Sequence, residues 1–220
     1  LGPQGKKVDT FSSSTATVPS KGDATLTASA SVSHPELWSA ETPELYTVNV
    51  ELLGADGKLL EATTVKPGFR SIEIKNNKVY INGRLTLFKG ADHHDIHPRF
   101  GHAVPVETMI KDIELYKTHN LNTIRTSHYP KDTRMNALFD YYGLYVMDEA
   151  DQEAHANHSL ITRPEWEDAF VDRAVRMVRR DRNHPSVIFW SLGNESGAGI
   201  NAIAERDAIR ELDTTRPIHY

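Results

Sequence analysis

A chain of 220 residues with 39% hydrophobic content can bury one large core or two small ones. Its 25 Lys and Arg are interspersed among 30 Asp and Glu, for a net charge of −5. No basic stripe is present, which argues against a nucleic-acid partner. No apolar run approaches the roughly 20 residues of a spanning helix, so no membrane partner is expected. Cysteine is absent, which excludes disulfides and thiolate metal sites and leaves a cytoplasmic and a periplasmic location in a bacterium equally open.

Up to about residue 84 the pattern is β. Ala24, Leu26, Ala28, Ala30 and Val32 alternate with Ser and Thr, the period of a half-buried strand. Tyr46, Val48, Val50 and Leu52 repeat it, and the turn Ala55-Asp56-Gly57-Lys58 leads to a partner over residues 59–65. Asn82-Gly83 marks a further tight turn. These strands predict a partial immunoglobulin-like β-sandwich over residues 1–84, short of the about seven strands of a complete one.

From residue 85 onward strands and helices alternate. Strands are expected over residues 85–91, 122–126, 144–147 and 186–192. Between them run amphipathic helices. The first follows Pro105 and carries Val106, Met109, Ile110, Ile113 and Tyr116 on one face. The second has Asp132 as N-cap and Gly143 past its end. The third is expected to start at the capping box Thr162-Arg163-Pro164-Glu165, and the fourth to span residues 201–212. Alternation of this kind predicts a parallel sheet wrapped by helices, either doubly wound or an eight-fold barrel. Four units are half of such a barrel, so residues 85–220 read as the first half of a TIM (β/α)8 domain. The fold class is thus multidomain, β followed by α/β.

Each strand delivers polar groups just past its C-terminal end, and in a parallel sheet those ends share one rim. The first gives Asp92, His93, His94, Asp95 and His97; the second Arg125, Ser127 and His128; the third Asp148, Glu149, Glu153 and His155; the fourth Asn194 and Glu195. The run from Ser186 to Leu192 is apolar without alternation, as in a strand covered on both faces, and it drives Glu195 to the rim. Arg125 has two readings, substrate contact or partner of Asp148 or Glu149, and Glu149 reads as a framework carboxylate. Glu153 and His155, two apart in an extended segment, point to one side and with Glu195 could share a cation. That donor set suits magnesium, or manganese, better than zinc.

The motifs Phe88 through Pro98, Arg125-Thr126-Ser127-His128-Tyr129-Pro130, Tyr142 through Ala150 and Arg180 through Gly197 resemble the large bacterial β-galactosidases of glycoside hydrolase family 2. His34 through Pro43 and Gly68-Phe69-Arg70 extend the resemblance upstream. It implies a retaining hydrolase of terminal β-D-galactosides in which Glu195 is the general acid/base. It further implies that Asn194 bonds the sugar 2-hydroxyl, that His94 and His128 contact substrate, and that Glu153, His155 and Glu195 hold Mg2+, with no organic cofactor. Asn-Glu-Ser-Gly at residues 194–197 favours the galactosidase branch over β-glucuronidases, which usually carry Pro after the Glu. Asp92-His93, where the closest galactosidases tend to have Asn-Arg, and Ala154 and Ala156 beside the metal ligands are departures that bear on substrate preference.

The resemblance also puts the nucleophilic Glu on a later strand, beyond Tyr220. The chain is accordingly expected to be a fragment, inactive alone, of an enzyme that is a homo-oligomer at full length. Three other readings fit the same residues: another family 2 activity such as β-glucuronidase, a noncatalytic carbohydrate-binding module, and a complementing segment.

Overall fold

The computed structural model describes all 220 residues, which form two compact units. The first comprises Leu1–Glu36 with Leu45–Pro67, the second Leu37–Glu44 with Gly68–Tyr220.

In the first unit, β1 (Val48–Leu53) pairs antiparallel with β2 (Leu59–Val65), Val48 opposite Val65, with an irregularity at Leu52/Leu53. Gly57, at φ +78°, closes the turn between them. The strand expected over residues 24–32 does not form, and residues 24–31 are exposed. Alternation specifies a strand only where a partner edge takes its backbone groups, and Ala and Ser side chains bury too little apolar surface to hold one in place. One hairpin thus stands in this unit where several sandwich strands were anticipated.

The second unit opens with a meander, β3 (Ile72–Lys75), β4 (Lys78–Ile81) and β5 (Arg84–Leu85), which the sequence had grouped with the sandwich. Both of its turns are two-residue pairs at positive φ, Asn76-Asn77 and Asn82-Gly83, the twist that suits a tight hairpin. Then follow β6 (Gly90–His93), α1 (Val106–Thr118), β7 (Thr123–Thr126), α2 (Thr133–Tyr142), β8 (Tyr145–Glu149), α3 (Glu167–Asp181), β9 (Val187–Ser191), α4 (Ile200–Leu212) and β10 (Ile218–His219). The five strands β6 to β10 are parallel and neighbours in chain order. A doubly wound sheet reverses its strand order at a switch point; this one does not, which is the order of a barrel wall.

Local chemistry sets the boundaries. The Asp132 carboxylate accepts the Arg134 N–H to cap α2, and Gly143 ends it at φ +76°, where a Cβ would meet Ala40 O at 2.4 Å. The capping box at residues 162–165 does not form. Thr162 Oγ1 donates to Ser159 O, two short 3-10 turns intervene, and α3 starts at Glu167 with no side-chain cap. Residues 85–91 are not one strand either. The Asn122 side chain takes up Lys89 N–H and Leu87 C=O in place of a ladder, and pairing with β7 begins at Gly90, where a Cβ would lie 2.1 Å from Thr123 O.

The core lies between sheet and helices. Ile113, Phe139, Val146, Val178, Trp190 and Ile209 belong to one buried cluster. Trp38 is fully buried as well, its indole N–H bonded to Asp140 O at 2.9 Å. Asp140 in turn accepts from Ser186 N and pairs with His184, so the stretch before β9 is fixed by buried polar bonds, as expected for residues on the rim opposite the site.

Candidate active site

The segment after β9 is laced to the one after β8. Asn194 N donates to Gln152 O at 2.8 Å, Ala154 N donates to Ser196 Oγ at 2.9 Å, and Asn194 and Glu153 form a parallel bridge. Gly193 is required by close approach, since a Cβ there would sit 2.6 Å from Gln152 O. These bonds hold Glu195 at φ +46°, a left-handed conformation that costs a non-glycine residue about 1–2 kcal/mol. Such strain persists where the surroundings over-determine the backbone, and here they aim the Glu195 side chain out of the loop with 56% of it accessible.

Glu195, with Gly197, is a wall shared by two open clefts. One, of about 430 Å³, is lined by His155, Ala156, His158 and Gly197; the other, of about 400 Å³, by Arg125, Asn194, His219 and Tyr220 among others. A carboxyl group between two clefts can meet a bond that joins the two halves of a bound molecule.

Behind it lies a fixed carboxylate. Glu149 is fully buried at the end of β8 and accepts from Arg125 Nε, Ser191 Oγ and His128 Nδ1, each at 2.7 Å. Its role as framework matches the sequence reading. The bond to Glu149 places the His128 proton on Nδ1 and turns Nε2 toward Glu153, 4.0 Å away. The His94 ring packs edge-on against His128 at 5.3 Å. Burial, reinforced by Lys131 and His128, depresses its pKa and favours a neutral imidazole.

Arg125 reaches two ways at once, donating from Nη2 to Asn194 Oδ1 at 2.9 Å as well as to Glu149. Asn194 Nδ2 donates to Glu153 Oε1 at 3.1 Å. Glu153, His155 and Glu195 each offer one donor atom, all within 4.8 Å of one another, and His155 Nδ1 touches Glu195 Oε2. Two carboxylates and an imidazole at that spacing, exposed enough to leave room for water, fit a divalent cation with oxygen preference.

Other rim residues serve the scaffold. His93 pairs with Asp112 at 3.1 Å and Asp95 at 3.6 Å, and His97 Nδ1 accepts the backbone N–H groups of Arg99 and Phe100. Asp148 points toward the helices, where Thr126 Oγ1 donates to it at 3.1 Å. Burial, with Asp181 beside it, keeps its carboxyl well above the usual range. Lys131, fully buried, stacks over Tyr129 at 4.2 Å and faces Asp95. Sequence reasoning did not mark Lys131, Ser191, Ser196, His219 or Tyr220 for the site. Ser191, at a strand end, and Ser196, inside the Asn-Glu-Ser-Gly motif, carried a positional signal.

Beneath the loop, Gln152 Nε2 donates to Glu205 Oε1 at 2.7 Å. Burial pushes the Glu205 carboxyl from 4.5 up to about 9, so at neutral pH it is protonated when folded and ionised when unfolded. Its contribution to stability is complete below 4.5 and is lost as pH rises toward about 9. Glu205→Gln keeps an acceptor for Gln152 and removes the titration. Urea denaturation is expected to show a gain on the order of 2–4 kcal/mol at pH 8 and little at pH 4.5; an equal change at both would refute the assignment.

Residues 72–220 match the family described as "Glycosyl hydrolases family 2, TIM barrel domain", and residues 2–70 that described as "Glycosyl hydrolases family 2". A β-galactosidase of Pectobacterium atrosepticum is 47% identical over 86% of this chain, and one of Photobacterium profundum 44% identical over the same share. The chain spans 18% and 19% of their lengths. Among solved structures, the apo β-glucuronidase 3 of Bacteroides uniformis superposes with a TM-score of 0.83 at 27% identity, covering 99% of this chain and 28% of that one.

Proposed function

This chain belongs to glycosyl hydrolase family 2, and on that footing we propose that it carries the acid/base side of a retaining β-galactosidase site. One observation carries the reading above all: Glu195, at the end of β9, is held in a left-handed conformation as a wall common to two clefts. In the first chemical step Glu195 gives its proton to the glycosidic oxygen as the bond to the anomeric carbon breaks; in the second it takes a proton from the attacking water. Asn194, oriented by Arg125 and Glu153, bonds the sugar 2-hydroxyl. His94 and His128 contact the ring hydroxyls through their imidazole nitrogens, and Arg125 fixes the floor on which they rest. Glu153, His155 and Glu195 would hold Mg2+, which when bound supplies fixed positive charge that organises the rim.

A retaining mechanism also needs a nucleophilic carboxylate about 5–5.5 Å from the acid. Glu149 is bound to Arg125, His128 and Ser191, and Glu153 to Asn194. The resemblance to the family 2 β-galactosidases implies a nucleophilic Glu on a further strand of the barrel, outside these residues. A β-glucuronidase activity is the second reading, favoured by the likeness to the Bacteroides uniformis enzyme.

The test compares nitrophenyl β-galactoside with nitrophenyl β-glucuronide, using an active enzyme that carries these residues beside the 220-residue chain alone. Hydrolysis of the galactoside by the former and of neither by the latter is expected. Preference for the glucuronide would replace the first reading with the second. Turnover by the chain alone, abolished in Glu195→Gln, would refute the assignment of the nucleophile.

A further inference from the structure

A carboxyl group occupies a core position of α4. The buried residues of that helix are Asn201, Ala202, Glu205 and Ile209, and Glu205 is 1% exposed. A buried polar group is costly unless its hydrogen bonds are made. The Glu205 carboxyl, kept neutral by burial, offers Oε1 to Gln152 Nε2 at 2.7 Å, and the same amide nitrogen donates to Phe170 O at 3.1 Å. Both N–H groups of the Gln152 side chain are thus used, one on α3 and one on α4. Packing alone would be served by Glu205→Leu, of similar volume, but that change would leave one of those buried donors unpaired.

The main chain of Gln152 carries that anchorage to the site. Its C=O accepts the Asn194 N–H at 2.8 Å and lies 3.3 Å from Ser196 Oγ, so it holds the residues on either side of Glu195. Gly193 lets the two segments close, since a Cβ there would sit 2.8 Å from Gln152 Cβ. One residue therefore separates α4 from the segment that bears the acid. The other buried amide of the helix acts farther along: Asn201 Nδ2 donates to Leu160 O at 3.0 Å and to Arg163 O at 2.9 Å. The stretch from Gln152 to Arg163, which carries Glu153 and His155, is held by α4 at both ends.

We propose that Glu205 is a positioning residue: acting through Gln152, it sets the placement of the segment that carries Asn194 and Glu195. The kinetic consequence rests on the glycosidase reading of the site, whereas the order of the segment does not.

The experiment uses an active enzyme carrying the chain, with Glu205→Leu to remove the acceptor and Glu205→Gln to restore one. A misaimed acid penalises the substrate whose leaving group needs its proton, whereas a smaller fraction of folded enzyme lowers every rate alike. In Glu205→Leu, kcat/KM is expected to fall about tenfold more on an alkyl galactoside than on a dinitrophenyl galactoside, and in Glu205→Gln to stay within about threefold on both. Hydrogen–deuterium exchange over residues 192–197 reads the segment without turnover; it is expected to quicken about tenfold in Glu205→Leu and to stay unchanged in Glu205→Gln. Equal losses on the two substrates, or exchange unchanged in Glu205→Leu, overturns the proposal. Should that variant not fold, Glu205→Asp, which draws the carboxyl back by one carbon, is read by the same two measurements with the same signs. An unsubstituted enzyme that cleaves neither galactoside, with exchange responding as expected, would overturn the glycosidase reading and leave the positioning role of Glu205 standing.

Discussion

Glu195→Gln, in an active enzyme carrying this chain, is expected to lower kcat about 10²–10⁴-fold on galactosides with alkyl or sugar leaving groups. An alkoxide is too basic to depart without a proton, so the whole loss falls on the step in which Glu195 donates one. On a dinitrophenyl galactoside, whose leaving group departs without help, cleavage of the glycosidic bond is expected to change by less than about tenfold. The later step then limits turnover, because no base removes the proton of the attacking water. Azide, which needs no base, should restore turnover and yield a β-galactosyl azide, the stereochemistry of retention. Glu195 also belongs to the cation donor set, so Glu153→Gln is the control: it disturbs that set and leaves the acid in place. Its loss is expected to be independent of leaving group. Equal losses in the bond-cleaving step, read as kcat/KM, on alkyl and dinitrophenyl substrates in Glu195→Gln would remove Glu195 from the role of acid.

Much of this arrangement was legible before any coordinates. The apolar run 186–192 and the amphipathic helices before it announce their own period, and a parallel sheet then gathers strand ends on one rim whatever the details. That is why Arg125, His128, Asn194 and Glu195 could be placed near one another from sequence, and why Asp132 and Gly143 marked the ends of α2 correctly. Where side chains replace the ladder the sequence misled. Asn122 bonds Leu87 and Lys89 and splits one expected strand in two, and Thr162 closes a turn instead of capping α3. The run 24–32 failed for another reason, since period two states which face a strand would bury but not whether a partner exists.

Inside the site, the orientation of each group lay beyond the reach of pattern. Arg125 meets Asn194 across 69 residues and Ser196 meets Ala154 across 42, and each bond depends on a register that only the folded sheet defines. The left-handed backbone at Glu195 has no signature either, because the residue type disfavours it. Its presence at a residue that lines both clefts shows tertiary bonds overriding local preference.

The buried network behind the rim makes the last prediction. Glu149→Ala leaves the Arg125 guanidinium without its principal counter-ion and His128 Nδ1 without an acceptor. Removing one partner of a buried ion pair typically costs about 3–5 kcal/mol, since the stranded charge stays desolvated. Replacing both is much cheaper, because no uncompensated charge remains. Denaturation of Arg125→Ala, which strands the fully buried Glu149 carboxylate, is therefore expected to show a loss in that range, with Glu149→Ala losing less because Arg125 stays part-exposed beside Asp92. The double variant should be well short of the sum, with a coupling of about 1–3 kcal/mol. The same cycle followed by kcat/KM separates support from chemistry: Glu149→Ala should impair galactoside turnover with every leaving group alike, unlike the graded loss in Glu195→Gln. Strict additivity of the two alanine substitutions would mean that Glu149 and Arg125 do not stabilise one another, and the floor beneath Asn194 would then have to rest on other contacts.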